Sequence, residues 1–267
     1  MFTFKQKYTV DDLVEIMRIL RSENGCPWDR EQTHESIRKN FIEETYEAIE
    51  AINKQDSHLL CEELGDVLMQ VVFHAQMEAE KQVFDFSDVA DGVCKKLIER
   101  HPHVFGEVEV DSSDDVLRNW EQIKSASKQR KTVADKMNSV PRELPALMRA
   151  DKIQRQAAKV GFDWDEFADA AKKISEEQAE LADAVAENDR TNTVEELGDL
   201  LFAVVNVARK LEIDPEEALT KATDKFQTRF TAVEALANAR NIVMTESDLK
   251  TLDRLWDEVK ATAKQES

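Results

Sequence analysis

Polar and apolar residues alternate with the period of an α-helix over most of this chain. Apolar positions return every three or four residues in long segments, which places them on one face of a helix. The pattern predicts ten helices, at 9–21, 33–54, 57–80, 87–100, 113–128, 143–159, 166–187, 191–210, 215–240 and 246–263. Thr9 and Ser87 are expected N-caps in the first half, and Ser247 or Thr245 is expected to cap the last helix. We therefore expect an all-α protein.

The second half of the chain repeats the first. The segment EETYE at Glu43–Glu47 matches EEQAE at Glu176–Glu180, and EELGD at Glu62–Asp66 recurs as EELGD at Glu195–Asp199, both at an offset of 133 residues. Shorter matches extend the repeat. One pairs Gly25-Cys-Pro-Trp28-Asp29 with Gly161-Phe-Asp-Trp164-Asp165. Further along, Lys96 and Arg100 correspond to Lys225 and Arg229, and Trp120 corresponds to Trp256. A repeat of this length indicates two copies of one domain.

We place the domain boundary in the polar stretch Ser125–Asn138, which lacks an apolar stripe and precedes Pro141 and Pro145. This gives an N-terminal domain at 1–130 and a C-terminal domain at 131–267, each with a helical bundle core.

Composition narrows the function classes. The 36 Lys+Arg and 55 Asp+Glu give a net charge of −19, which argues against nucleic acid as a partner. The six glycines form no phosphate-binding loop, and the three cysteines lack the spacing of a zinc site or a disulfide framework. No apolar run is long enough to span a membrane, and the N-terminus lacks the apolar core of a signal peptide. We expect a cytoplasmic protein with no membrane partner.

Four carboxylates in each half lie at mirrored distances from a predicted turn. Glu180 and Glu196 are equidistant from Asn188, and so are Glu177 and Asp199. If the two helices form an antiparallel hairpin, Glu180 faces Glu196 and Glu177 faces Asp199. The first half has the same arrangement about Gln55, with the carboxylates of Glu44, Glu47, Glu63 and Asp66.

Four converging carboxylates repel one another unless a cation lies between them. Oxygen ligands without His or Cys favour Mg²⁺, with Mn²⁺ as a substitute, over zinc. Gly65 and Gly198 lie inside the two E-x-x-D turns, where glycine weakens a helix. We expect them to permit close approach of a backbone, a metal or a ligand.

Cationic and aromatic residues suit a metal–phosphate complex. Lys173 lies one turn before Glu177, and Lys225 and Arg229 are one turn apart, so all three could hold phosphate oxygens. Trp256 could stack on a base, and Asn206 could bind a sugar or a base.

These residues resemble the MazG family of the all-α nucleoside triphosphate pyrophosphatases, whose signature is E-x-x-E, a spacer and E-x-x-D. The resemblance covers nearly the whole chain and includes Asn24–Asp29, Arg100–Phe105 and Leu144–Arg149. It implies a homodimer, because carboxylate hairpins in this superfamily usually complete their bundle with another subunit. It also implies attack of water on the α-phosphorus of a nucleoside triphosphate, which releases a monophosphate and pyrophosphate.

By that resemblance, Glu177, Glu180, Glu196 and Asp199 hold Mg²⁺, and Glu177 or Glu176 is the general base. Lys173, Lys225 and Arg229 then stabilise the departing pyrophosphate and Trp256 stacks on the base, while Glu176 and Asn206 complete the nucleotide-binding set. Loose base contacts imply a broad range of NTPs and dNTPs and a role in cleaning or regulating the nucleotide pool.

The two copies differ near the carboxylates. Lys173 corresponds to Asn40, and Asn206 corresponds to Phe73. We therefore expect catalysis in the C-terminal domain and dimerisation through the N-terminal domain. A second, degenerate site in the N-terminal domain would use Glu44, Glu47, Glu63, Asp66, Lys96, Arg100 and Trp120.

Two other functions fit the sequence. A non-catalytic helical adaptor would use the acidic faces for solubility alone. A pyrophosphatase specialised for one nucleotide would share the chemistry with a narrower base range.

Overall fold

The computed structural model describes residues 3–127 and 132–265, and within these ranges it contains helices and no β-strand. The expected all-α class is therefore confirmed. The chain divides into two compact units, of which the first ends at Lys124 and the second begins at Ser125. The predicted boundary between residues 130 and 131 lies outside the described residues, as does the predicted helix end at 128.

In the first unit, a long helical hairpin carries the acidic residues. Its helices are α1 (Val10–Leu20), α2 (Pro27–Glu31), α3 (Arg38–Lys54), α4 (Ser57–Glu80), α5 (Phe86–Arg100), α6 (Pro102–Phe105) and α7 (Ser113–Ser127), the last of which continues past the boundary. Helices α3 and α4 form the hairpin, and α1 and α5 pack on α4. The buried core consists of Met17, Ile37, Val72, Phe73 and Met77.

The second unit has the same hairpin with a longer C-terminal part. Its helices are α8 (Val133–Asn138), α9 (Ala146–Ala158), α10 (Phe167–Ala186), α11 (Arg190–Lys210), α12 (Pro215–Ala239) and α13 (Leu249–Gln265), with a 3-10 turn at Met244–Glu246. Helices α10 and α11 form the hairpin, and α9 packs on α11 and α12. Helix α13 packs on α12 around a separate small core of Val233, Ala237 and Leu255.

The turns of the two hairpins are built alike. The predicted turn centres, Gln55 and Asn188, both have a left-handed backbone with φ of 55°. Asp56 then caps α4 by accepting hydrogen bonds from two backbone N–H groups, and Asp189 caps α11 in the same way. A left-handed residue followed by an Asp cap ends one helix and starts the next within two residues. This tight turn fixes the register of the carboxylates on the two arms.

Two predicted N-caps are wrong. Asp85, not Ser87, caps α5, because Asp85 and Asp88 form a reciprocal capping box. Near the C-terminus, the side chain of Asp248 accepts a hydrogen bond from the backbone N–H of Thr251, so α13 begins later than the expected caps at 245 and 247.

Several segments depart from the predicted helices, and the short helices α2 and α6 were not predicted. The helix predicted from residue 33 begins at Arg38, because Thr33 and Ser36 hydrogen-bond each other's backbone N–H groups and favour a turn. The polar stretch expected as a linker contains α8, which starts with a capping box formed by Thr132 and Asp135. Among the described residues, no helix combines the length and the apolar character needed to cross a bilayer.

Candidate active site

Three carboxylates converge inside the hairpin of the second unit. Glu177 lies on α10, and Glu196 and Asp199 lie one turn apart on α11. Each offers a carboxylate oxygen, and these oxygens all lie within 4.8 Å of one another. Glu177 is the deepest of the three, with only 5% of its surface exposed. The hairpin therefore concentrates negative charge around one buried carboxylate.

The neighbouring Glu180 belongs to the same electrostatic group, although it lies at the exposed edge of the cluster. Partial burial, followed by repulsion from Glu177, raises the pKa of Glu180. The same two causes raise the pKa of Glu196, and Asp199 adds further repulsion there. Without a cation between them, these carboxylates resist ionisation.

Lys173 supplies the positive charge next to the cluster. It lies one turn before Glu177 on α10, and its Nζ is 2.6 Å from Glu177 Oε1 and 2.7 Å from Glu176 Oε1. These hydrogen bonds to Glu176 and Glu177 raise the pKa of the lysine above its usual value. Glu176 is thereby held beside the cluster, although its own side chain is exposed.

The second oxygen of Glu177 fits a cation ligand. Glu177 Oε2 is buried and has no hydrogen-bond partner, which is costly for a charged group. It belongs to an oxygen-only cluster with no histidine or cysteine in the group. Hard divalent cations such as Mg²⁺ prefer oxygen ligands of this kind. The residues present therefore fit a divalent cation.

A cavity of about 380 Å³ opens beside the carboxylates. Glu177, Asp199 and Lys173 line its acidic end. Most of the remaining wall is apolar or aromatic, and includes Ile153, Ala157, Phe162, Trp164, Phe202 and Ala203. Two side-chain amides, Gln154 and Asn206, interrupt this apolar wall. A cavity of this size and lining is typical of a small-molecule site.

An ion-pair network fixes one wall of the cavity. Arg209 on α11 donates to both carboxylate oxygens of Asp163, at 3.0 and 2.5 Å, and Lys210 lies 2.9 Å from Asp163. Hydrogen bonds from Arg209 are the main reason that the pKa of Asp163 falls to about 2. Asp163 lies between Phe162 and Trp164 in the loop before α10, so this network ties the loop to α11.

Comparison with known proteins identifies the family. The model of the MazG nucleotide pyrophosphohydrolase domain matches twice, at residues 32–105 and 166–233. The nucleoside triphosphate pyrophosphohydrolase of Escherichia coli strain K12 is 46% identical over 256 residues, which cover 94% of this chain and 97% of the relative. The chain belongs to the MazG family.

Two further relatives support the MazG assignment. The nucleoside triphosphate pyrophosphohydrolase/pyrophosphatase MazG of Thermotoga maritima is 45% identical over 94% of this chain and 95% of its own length. An uncharacterized protein of Bacillus subtilis is 46% identical over 92% of this chain, which corresponds to half of that protein. The similarity therefore extends across both MazG repeats.

The N-terminal MazG repeat has an acidic cluster of its own. Glu44, Glu63 and Asp66 offer carboxylate oxygens within 4.8 Å of one another, and all three are half-buried. Partial burial raises the pKa of Glu44, and Asp66 and Glu47 raise it further by repulsion. Among the described residues, no ion pair joins a cation to this cluster. Asn40, at the position of Lys173, carries no charge that could do so.

The cationic and aromatic residues predicted for this N-terminal site are Lys96, Arg100 and Trp120. Arg100 stacks over the ring of Trp120, with 5.4 Å between the guanidinium carbon and the ring centroid. Lys96 is exposed on α5. In the described ranges, neither Lys96 nor Arg100 forms an ion pair with the acidic trio.

The three C-terminal residues predicted to meet the phosphates and the base also lie away from the MazG cluster. Trp256 packs against Phe226, with 5.2 Å between ring centroids, and joins the small core of α12 and α13. Lys225 and Arg229 form no ion pair with any residue in 3–124 or 132–262. One chain therefore brings Lys173 and Asn206 to the site, but does not bring Lys225, Arg229 or Trp256 to it.

The two glycines of the E-x-x-D turns are not crowded by their own chain. A Cβ atom added at Gly65 or at Gly198 would meet nothing within 4 Å. A close approach of this chain's own backbone therefore does not explain either glycine.

Sequence reasoning missed the cavity-lining residues Gln154, Phe162, Asp163, Trp164 and Arg209. The match between Gly25–Asp29 and Gly161–Asp165 indicated a repeat, but nothing in it indicated a cavity. The signal lay in the two positions at which these segments differ, where Phe162 stands in place of Cys26 and Asp163 in place of Pro27.

Proposed function

We propose that this MazG protein hydrolyses nucleoside triphosphates to nucleoside monophosphates and pyrophosphate, with Mg²⁺ bound in the C-terminal unit. One observation carries the proposal. Glu177, whose Oε2 is buried and unpartnered, converges with Glu196 and Asp199 beside a largely apolar cavity of about 380 Å³. This arrangement offers an oxygen-ligand cation site directly beside a space for a nucleoside. The names of the curated relatives support the same reaction.

Each residue of the cluster has a role in this proposal. Glu177, Glu196 and Asp199 would hold Mg²⁺, and Glu180 would complete the acidic set from its exposed edge. The cation would neutralise triphosphate charge and help to orient and acidify water. Lys173 orients Glu177 and can reach phosphate oxygens, while Glu176 stays outside the converging trio. The carboxylate of Glu176, which Lys173 holds beside the trio through Oε1, is placed to accept the proton of the attacking water.

The lining of the cavity supports a broad base range. Aromatic side chains such as Phe162 and Trp164 can stack on any base, because every base has a π-face. A hydrolase that accepts many NTPs and dNTPs suits the removal of unwanted nucleotides from the pool. We therefore retain the broad-range enzyme over the specialist for one nucleotide.

Phosphorus NMR of a reaction in ¹⁸O-labelled water tests the reaction. The expected products from ATP and Mg²⁺ are AMP that carries the label and unlabelled pyrophosphate, with no turnover in excess EDTA. Label in pyrophosphate would move the attack to the β-phosphorus. Formation of ADP and phosphate would contradict the proposal, and no turnover of any nucleotide would favour the helical adaptor.

We also infer that the active form is a homodimer. The α10–α11 hairpin leaves apolar side chains about half exposed, among them Leu197 and Leu201, and α12 exposes Phe226 and Phe230. Lys225 and Arg229 on α12 have no acidic partner in the described chain, whereas the carboxylate trio is short of cations. Apolar faces and complementary charge together favour a second copy whose α12 lies over the carboxylates.

Subunit mixing tests this arrangement. Glu177→Gln and Arg229→Ala chains should each be nearly inactive alone. If Arg229 acts on the other subunit's site, random mixing should restore about a quarter of the wild-type activity, because half of the dimers then hold one intact site. No recovery on mixing, or a monomer in light scattering, would contradict the inference.

A further inference from the structure

The cavity beside the carboxylates contains two buried amide side chains that catalysis does not use. Gln154 comes from α9 and Asn206 from α11, and their surfaces are 7% and 6% exposed. Both line the same cavity, whose other walls are mostly apolar. Polar groups in such a wall determine which ligands fit, because an unmatched one loses its hydrogen bonds to water.

The amide of Gln154 has a fixed orientation. Its Nε2 donates to the backbone carbonyl of Phe202 at 2.8 Å. Reversing the amide would place two oxygens against each other, so Oε1 must be the other end of the group. Gln154 Oε1 is buried and has no hydrogen-bond partner. The cavity wall therefore carries one unpaired acceptor.

The amide of Asn206 is fixed in the opposite sense. Its Oδ1 accepts hydrogen bonds from Nε of Arg209 at 3.1 Å and from a terminal nitrogen of the same guanidinium. Asp163 holds that guanidinium in place through both of its carboxylate oxygens. Asn206 Nδ2 donates to no group within residues 3–124 or 132–262, so it is a donor that a ligand can use.

The two amides are neighbours. Phe202, whose carbonyl holds Gln154, is four residues before Asn206 on α11, a rise of about 6 Å. The acceptor thus comes from α9 and the donor from α11, and both residues border the cavity at this stretch of α11. Every nucleobase offers the complement on its Watson–Crick edge, where an N–H group stands next to an acceptor. In adenine these are the 6-amino group and N1, in cytosine the 4-amino group and N3, in guanine N1–H and O6, and in uracil N3–H and O4.

We propose that Gln154 and Asn206 read the Watson–Crick edge of the nucleobase. Gln154 Oε1 accepts from the N–H of the base, and Asn206 Nδ2 donates to the neighbouring acceptor. The inference rests on the proposed function, and it explains how the site rejects groups that lack a base edge. The N-terminal repeat has Phe73 in place of Asn206 and lacks this pair.

Two substrate analogues test the two contacts separately. The triphosphate of purine riboside lacks the 6-amino group, and 1-deaza-ATP lacks the N1 acceptor. The wild-type kcat/KM should fall about tenfold or more for each analogue relative to ATP, as expected for the loss of a buried hydrogen bond. Gln154→Leu should abolish the discrimination against purine riboside triphosphate and keep that against 1-deaza-ATP. Asn206→Leu should do the reverse.

Gln70→Leu is the matched control. Gln70 is a buried glutamine of the N-terminal repeat whose Oε1 also lacks a partner. Its replacement should leave both substrate ratios at their wild-type values. Thermal melts of all three variants separate a lost contact from a lost fold, and the substrate ratios are independent of the amount of folded enzyme.

Several results would overturn the proposal. Wild-type ratios in both the Gln154→Leu and Asn206→Leu variants would exclude base reading by these amides. A changed ratio of ATP to dATP, with unchanged analogue ratios, would assign the amides to the sugar. If the wild type hydrolyses no nucleotide, the proposed function fails. The discrimination is then measured as ratios of binding affinity, with the α,β-methylene forms of ATP and of the two analogues as ligands. Retained discrimination there supports base reading, and absence of binding overturns it.

Discussion

The two MazG repeats share a hairpin, a turn and an acidic trio, and they differ in what lies beside the trio. In the N-terminal repeat, Phe73 is 4% exposed and belongs to the core with Met17, Val72 and Met77. At the same position of the C-terminal repeat, Asn206 lines a cavity and accepts hydrogen bonds from Arg209. The side chain that completes a core in one repeat is thus replaced by one that borders a ligand-sized space in the other.

The acidic residues therefore do not distinguish the repeats. Both trios bring their oxygens within 4.8 Å, and both show carboxyl groups whose pKa is raised by burial and repulsion. What differs is the residue beside each trio. Lys173 forms an ion pair with Glu177, whereas the uncharged Asn40 cannot form one with Glu44. Function in a duplicated domain depends on these neighbours as much as on the ligand set.

The largest expected effect separates the two trios directly. Glu177→Gln should lower kcat by about a thousandfold or more, because it removes a central cation ligand and the charge that it carries. Glu44→Gln, the matched change in the N-terminal repeat, should leave kcat within about twofold of the wild type. Steady-state release of pyrophosphate measures both. Loss of activity from Glu44→Gln alone would place catalysis in the N-terminal repeat.

A second prediction concerns the core that fills the N-terminal repeat. Phe73→Asn should lower the free energy of unfolding by about 3–4 kcal/mol, because a buried ring is lost and a polar group is buried in its place. Phe105→Asn, at an exposed position of the same unit, should cost less than about 1 kcal/mol. Urea unfolding monitored by circular dichroism measures both. Equal costs would show that Phe73 does not hold this core together.

The smallest expected effect concerns the ion pair that anchors the cavity loop. The pKa of Asp163 is about 2 in the folded protein, against an ordinary value of 3.8 for this side chain, so folding favours the charged form. The pair therefore stabilises the protein above pH 3.8, and this contribution is lost as the pH falls from 3.8 towards 2. Asp163→Asn should cost about 1–2 kcal/mol at pH 7, and the difference from the wild type should shrink below about pH 4.

The N-terminal repeat provides the control for that measurement. Arg21 pairs with Glu80, and its hydrogen bonds lower the pKa of this carboxyl group. Glu80 is more exposed than Asp163, so Glu80→Gln should have the smaller effect at pH 7. Unfolding free energies between pH 7 and 3 measure both variants. A pH-independent cost of Asp163→Asn would show that the charge of Asp163 does not stabilise the fold.

The local sequence pattern predicted helix α4 and the turns of both hairpins well. Helix α4 spans Ser57–Glu80, as predicted, and the turn centres Gln55 and Asn188 lie where the mirrored carboxylates placed them. These features depend on the helical period and on residue spacing, which are local properties. The caps at Asp85 and Asp248 were missed because several polar residues compete for each helix start, and only backbone geometry selects among them.

The sequence by itself determined the helical class, the duplication and the two sets of carboxylates, because each follows from period, spacing or identity along the chain. The tertiary structure decided which neighbours those carboxylates have. Gln154 meets Phe202 across 48 residues, and Arg209 meets Asp163 across 46 residues. Contacts of this kind depend on how α9, α11 and the loop before α10 pack together. No local pattern records that packing, so the cavity and its two amides emerged only from the folded chain.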